Sequence, residues 1–267
     1  TIRNDATTLL RATMMKIAAL LALVGSAAAF APTSIGPTAR AATQVSESKA
    51  DLEGLAAALN PKIGFYDPLG IVADAEGGLN LWGKDAAFTI GWFRHAEIKH
   101  GRVAMAAFVG YCVQSNFVFP WANTLAGDPF PSTALSPPDQ WDALPLAAKL
   151  QIVLFVGFLE LYSELTPREG AEGIGLQHYC KGGVPGKYPT FDAVPHPVLF
   201  NSLYDPLGAS ANMPAEKKER RLRAEINNGR LAMLGIFGFL CAQTIPGSVP
   251  ALAGVVAPYA GEVMAPF

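Results

Sequence analysis

Charge is what this sequence has least of. Only 16% of its 267 residues are Asp, Glu, Lys or Arg, against roughly 25% in ordinary soluble domains. Together with 51% apolar residues, that balance favours a membrane protein. The formal net charge of −2 excludes a nucleic-acid binder driven by bulk positive charge. Cysteine is scarce as well: Cys112, Cys180 and Cys241 are odd in number and show no CxxC spacing. They support neither a zinc site nor a disulfide scaffold, and buried free thiols are expected. Nothing looks like a nucleophile–base pair or a phosphate loop. Apolar runs are short: Val103–Val113 does not by hydropathy alone span a hydrocarbon core of ~30 Å.

What the chain does have is a duplicated segment. Glu97-Ile98-Lys99-His100-Gly101-Arg102-Val103-Ala104-Met105 returns as Glu225-Ile226-Asn227-Asn228-Gly229-Arg230-Leu231-Ala232-Met233, identical at six of nine positions. Both copies run straight into apolar sequence, Ala106–Val113 and Leu234–Ala242. Ionisable residues at membrane depth are costly and normally paired or functional. At about 100° per residue, Glu97 and His100 share a helix face, as do Glu225 and Asn228. Arg102 lies about 140° round from Glu97, a poor position for pairing within the helix. If the copies cross as a pseudo-symmetric pair, Glu97 can meet Arg230 and Glu225 can meet Arg102, neutralising each charge across the interface. Gly101, Ala104, Gly229, Ala232 and Gly235 are small enough for close approach. A carboxylate held by an arginine keeps a free lone pair. Oxygen and imidazole donors of this kind suit a hard ion such as magnesium.

The paired ExxHGRxAM and ExxNGRxAM helices resemble the first and third spans of the chlorophyll-binding light-harvesting complex family, over roughly residues 60–250. The resemblance implies an all-α membrane protein with three transmembrane helices. The first and third would be crossed and pseudo-two-fold related. The tail Ser248–Phe267 has a short apolar segment of its own, expected as a short C-terminal interfacial helix. The resemblance also implies axial ligands to chlorophyll magnesium at Glu97, His100, Glu225 and Asn228, with the Glu97–Arg230 and Glu225–Arg102 pairs locking the crossed helices. It adds Glu160, in the Gly157-x-x-Glu160 arrangement of the middle helix. Without a basic residue at i±3 or i±4, Glu160 also reads as an interfacial carboxylate at a helix end. Gln151 and Gln243 are similar to two further family ligands, each out of register by one residue.

Ahead of each copy stands a second repeat, Phe65-Tyr66-Asp67-Pro68-Leu69-Gly70 and Leu203-Tyr204-Asp205-Pro206-Leu207-Gly208. Asp-Pro-x-Gly is turn chemistry, and two plain loops account for it locally. In the family this turn lies against a carotenoid head group, a role the resemblance carries to Asp67 and Asp205.

In chain order, residues 1–13 precede the first methionines and are set aside. Residues 14–29 read as a signal peptide: Lys16, the apolar Ile17–Val24, then Gly25-Ser26-Ala27-Ala28-Ala29. Residues 30–45 resemble a transit peptide, and the Ala29-Phe30-Ala31-Pro32 junction is similar to leaders routed into complex plastids. The remainder, 46–267, is expected to be one chlorophyll-binding domain with spans near 92–119, 145–165 and 214–244. Residues 49–92 show no clear helical period, and 120–145 and 166–213 read as loops. His95 is expected in a solvated or headgroup position, and His178 and His196 as loop histidines. Asn212 or Ala211 would cap the third helix, with Pro214 near its first turn. Lys217, Lys218, Arg220, Arg221 and Arg223 form a basic collar suited to lipid headgroups. The same bias puts the N terminus on the stromal side and the C terminus in the lumen.

The function implied is a light-harvesting antenna subunit in the plastid thylakoid membrane, not an enzyme. Its cofactors would be chlorophyll a, chlorophyll c and a xanthophyll (peridinin or fucoxanthin, with diadinoxanthin). Its partners would be a photosystem I or II core, neighbouring antenna subunits and thylakoid lipids, with no nucleic acid. One alternative is a photoprotective, energy-quenching member of the same family. Another is a di-iron carboxylate enzyme, of which Glu-x-x-His is half a site, although the second copy reads Glu-x-x-Asn.

Overall fold

The computed structural model describes residues 48–72, 83–165, 178–188 and 213–262. Among them the regular elements are helical, apart from an isolated β-bridge between Ala122 and Pro129. The helices are α1 (Lys49–Leu59), α2 (Ala86–Gln114), α3 (Pro137–Asp142), α4 (Leu146–Leu165) and α5 (Ala215–Thr244). Short 3-10 turns occupy Tyr179–Lys181 and Pro250–Leu252. The chain divides into two compact units, one within 1–36, 103–154 and 228–267, the other within 37–102 and 155–227. The leader segments, the Asp205 turn, His196, Ala211 and Asn212 lie outside the described residues.

Local signals explain several of the helix boundaries. Residues 49–92, expected to lack helical period, instead hold α1 and the start of α2. Ser48 and Asp51 form a reciprocal capping box: Asp51 N donates to Ser48 Oγ at 3.3 Å and Ser48 N to Asp51 Oδ2 at 3.0 Å. That satisfies two amides that would otherwise be orphaned at the helix start. Helix α2 begins and ends earlier than the expected 92–119. Asp85 starts it, its Oδ1 accepting from Phe88 N at 3.2 Å. Side chains stop it: Ser115 Oγ and Asn116 Nδ2 donate to Tyr111 O and Cys112 O, and Gln140 Nε2 donates to Gln114 O at 2.9 Å. Such local bonds compete with continuing the helix. The loop expected over 120–145 contains α3, opened by the Ser136 N-cap and Pro137. Among the described residues, α4 is the one helix long and apolar enough to cross a membrane by length and composition alone.

The expected C-terminal helix is replaced, through residue 262, by the single 3-10 turn and irregular chain. Pro246, Pro250 and Pro258 interrupt this segment, and Gly247 and Gly254 turn it at φ of 84° and 74°. The tail is nonetheless fixed. Tyr259 N donates to Gln243 O at 2.9 Å and its hydroxyl donates to Asp142 Oδ2 at 2.8 Å. The hydrogen bond to that carboxylate, and burial after it, hold the Tyr259 phenol above its ordinary value. The strap is therefore complete below the unfolded phenol value of about 10 and is lost as pH rises through the folded one.

In the same unit α2 packs on α5 through aromatic rings. Phe108 and Tyr111 stack on Phe239 with centroids 5.0 and 4.7 Å apart. Gly235 makes room for this, since a Cβ there would stand 2.9 Å from Phe108 Cε2.

Two glycines should consequently respond in opposite directions. Gly235→Val overpacks the ring contact at a cost of roughly 1–3 kcal/mol, read as a lower melting temperature of the purified protein. In α1 a Cβ at Gly54 meets nothing within 4 Å, so Gly54→Ala should raise the opening free energy of α1 amides in hydrogen exchange by roughly 0.5–1 kcal/mol.

Candidate functional site

The duplicated segments bring one acid–base pair together across two helices. Arg102 Nε on α2 donates to Glu225 Oε1 on α5 at 2.6 Å. A second nitrogen of the same guanidinium, Nη1, donates to Gly186 O at 2.8 Å. The planar fork of arginine suits this double duty. Glu225 keeps its other oxygen clear of that bond.

Glu97 has a partner that the sequence reading overlooked. Arg94 Nη1, one turn earlier on α2, donates to Glu97 Oε2 at 2.5 Å. The i, i+3 spacing is its signal in the sequence, although Arg94 stands outside the duplicated segment. Arg230 and Asn228 lie exposed on α5.

His100 is exposed on α2, and its Nδ1 lies 2.7 Å from Ala96 O. A carbonyl only accepts, so Nδ1 carries the proton and Nε2 of the neutral ring retains its lone pair. The bond to the i−4 carbonyl also fixes the ring's orientation, as orienting partners of metal-binding histidines do.

Glu160 is paired rather than isolated. Its cation, Lys99, comes from α2, so a search along its own helix could not find it: Lys99 Nζ bonds Glu160 Oε2 and lies 3.8 Å from Glu164 Oε1. Glu164 also accepts from the Tyr179 hydroxyl at 3.1 Å and sits 3.2 Å from His178 Nε2.

The segment 178–188, expected to be plain loop, is folded against α2. His95, expected to be solvated, is only 4% exposed. Its ring stacks on Tyr179 at 3.9 Å and 5°, and its Nδ1 accepts from Gly186 N at 3.1 Å. The contact depends on Gly91, where a Cβ would stand 2.1 Å from Tyr179 O. Gly186, at φ 77°, supplies the turn that aims its amide at His95 and its carbonyl at Arg102.

The remaining expected site residues divide. Gln151 is exposed on α4. Gln243 is buried, and its Oε1 accepts from the Tyr111 hydroxyl at 2.9 Å, so that oxygen already has a protein donor. Asp67 is consumed by its own turn: Oδ1 accepts from Ile71 N at 3.0 Å and Oδ2 from Val72 N at 2.9 Å. Burial pushes its carboxyl up, but the amides of Val72, Ile71 and Gly70 together hold it below the usual carboxylate range. Gly70, at φ 61°, makes the turn possible. No group of three His, Cys, Asp or Glu able to hold a bare metal ion occurs among the described residues. The donors are single: each can complete the coordination of an ion already held by other atoms.

Two tests follow. A carboxyl depressed in the fold stabilises it above the unfolded value of about 3.9 and loses that contribution as pH falls through the folded value. Protection of the Val72 amide from hydrogen exchange should therefore hold at neutral pH and fall in acid, and Asp67→Asn should weaken it already at neutral pH. Gly91→Ala should expose the Gly186 amide to exchange; unchanged protection there would refute the docking of 178–188 on α2.

The family described as chlorophyll A-B binding protein matches residues 49–244. The chain is 34% identical over 244 residues to a chloroplastic fucoxanthin-chlorophyll a-c binding protein of Trieres chinensis, covering 88% of this chain and 98% of that one. It is 31% identical over 237 residues to the fucoxanthin-chlorophyll a-c binding protein C of Phaeodactylum tricornutum, covering 86% and 96%. A Macrocystis pyrifera relative, protein E of the same description, is 30% identical over 189 residues, 69% and 71% of the two chains.

Proposed function

Because the chain belongs to the chlorophyll a-b binding protein family, we propose that it is a light-harvesting antenna subunit of the plastid thylakoid membrane. It binds chlorophylls a and c and a xanthophyll, and it passes excitation to a photosystem directly or through neighbouring antenna subunits. The fucoxanthin named in the relatives favours that xanthophyll over peridinin; diadinoxanthin is a further candidate. The observation that carries the reading is the doubled Glu-x-x-His/Asn-Gly-Arg-x-Ala-Met segment, both copies of which fall within the matched residues.

The donors would suit the magnesium of chlorophyll, a hard ion that takes oxygen and imidazole nitrogen ligands. His100 would offer Nε2, the nitrogen left free of Ala96 O. Glu225 would offer the oxygen not engaged by Arg102, and Glu97 the one not engaged by Arg94. Asn228 would offer its amide oxygen. Glu160 would ligate through its second oxygen while Lys99 balances its charge. Gln151 is the remaining candidate. Gln243 ranks below it because its oxygen already accepts a hydroxyl. When bound, the chlorophylls and xanthophyll supply light absorption and energy transfer; the protein holds them at fixed separation and orientation.

In this reading α2, α4 and α5 span the bilayer, α2 and α5 cross, and a Glu97–Arg230 pair completes the exchange opposite Arg102–Glu225. The N terminus faces the stroma and the C terminus the lumen. Asp67 and Asp205 set turns beside a carotenoid head group.

Extraction of the purified protein followed by chromatography should recover chlorophyll a, chlorophyll c and a xanthophyll; a protein carrying iron and no pigment would overturn the assignment. Ligand and structural roles separate by substitution. His100→Leu should lose one chlorophyll per chain with little change in melting temperature. Arg102→Leu, which takes the guanidinium away from Glu225 and from Gly186 O, should lower the melting temperature of the whole bundle. Identical behaviour of the two variants would sink the division.

A further inference from the structure

The segment 117–130, which follows α2 closely, does something that pigment binding does not require. It is a closed turn. Ala122 bridges Pro129, Asn123 N donates to Asp128 O at 2.7 Å, and Gly127 N donates to Thr124 O at 3.1 Å. Gly127 takes φ 94°. Asp128 ties the base, its Oδ2 accepting from Thr124 Oγ1 at 2.7 Å and its amide donating to the same hydroxyl at 3.2 Å. These bonds spend the polar groups on the turn itself and leave Leu125 fully exposed at its tip.

Beside the tip the aromatic rings form a chain. Phe119 stacks on Trp121 at 4.2 Å and meets Phe117 edge-on at 5.3 Å. Phe117, Phe119 and Trp121 nevertheless remain 52%, 49% and 58% exposed. Rings that contact one another without entering a core are held ready for an outside apolar surface.

Charge and continuity say which surface. No Lys or Arg occurs from Val103 through Ala148, so attraction to anionic headgroups or to an acidic partner has no source here. The tip Leu125-Ala126-Gly127 carries no charge, and the acid Asp128 stands at the base. That gradient matches the one from hydrocarbon to headgroup. The exposed Val109 and Val113 of α2 lie one turn apart and lead into Phe117, so the apolar surface of a spanning helix continues into the turn. Trp and other aromatic residues concentrate at this boundary.

We infer that residues 117–130 form an aromatic anchor that dips into the bilayer at the end of α2, with Leu125 in the acyl-chain region and Trp121 at headgroup level. Its occupant is the lipid interface itself, not a protein. The anchor rests on the membrane-spanning reading above, and its test is built to tell the two apart.

Nitroxide labels would be placed at Leu125→Cys and, separately, at Leu154→Cys on the exposed face of α4. Both would be made with Cys112, Cys180 and Cys241 replaced by alanine, in pigmented protein reconstituted into phosphatidylcholine vesicles. Accessibility to oxygen and to a water-soluble nickel chelate reports depth. Oxygen should exceed the chelate several-fold at both labels, with no change when anionic lipid is added. Oxygen dominant at Leu154 but chelate dominant at Leu125 would overturn the anchor and leave the antenna assignment standing. Protection of Leu125 from both reagents would mean a protein partner covers the turn, and would also overturn it. Chelate dominance at Leu154 would remove the membrane reading and the anchor with it. Ala126→Cys, also exposed at the tip, repeats the measurement should the Leu125 variant lose its pigments.

Discussion

A charged side chain packed between helices is costly unless an opposite charge meets it, and the duplicated segments each place an acid and a base on their helix. Arg102 and Glu225 meet that cost together, one from each copy, at 2.6 Å. The arrangement has a useful asymmetry. An arginine has more donors than one carboxylate oxygen needs, so Arg102 also holds Gly186 O. A carboxylate has two oxygens and spends one in this bond. Neutralising the charge therefore stabilises the helix pair and still leaves Glu225 a second oxygen, the atom that the antenna reading proposed above assigns to a pigment metal.

The same economy recurs at His100 and Glu160. The backbone carbonyl of Ala96 takes one side of the imidazole, and Lys99 takes one oxygen of the acid. In each case a group with two coordinating atoms is fixed through one of them. On the antenna reading proposed above, fixing matters because energy transfer between pigments depends on their separation and mutual orientation, and a ligand free to rotate would let both wander.

Much of this was legible from residue identity and spacing. The duplicated segment pointed to the helices, the family and the opposition of Arg102 to Glu225. Glycine and proline punctuation marked the turn at Asp67. What stayed hidden depended on tertiary return. Lys99 reaches Glu160 from another helix, and 178–188 covers His95, neither of which has a signature along one helix. Helix α1 was different: Ser48 and Asp51 announced it, but the Gly- and Pro-rich sequence over 49–92 has no clear helical period to set beside a four-residue cap. The tail misled for the opposite reason, since its apolar residues suggested a helix that Pro246, Pro250 and Pro258 break up.

At Gly91 the 178–188 segment meets α2 through a main-chain atom, Tyr179 O. That makes the two sides of the contact unequal under drift. Any residue at 179 carries the same carbonyl, so exchanging the ring forfeits the stack on His95 and the hydroxyl's bond to Glu164 but leaves the main-chain contact in place. Position 91 has no such latitude, because a single added carbon collides whatever its chemistry. Variation is open on the loop side of this seam and closed on the helix side.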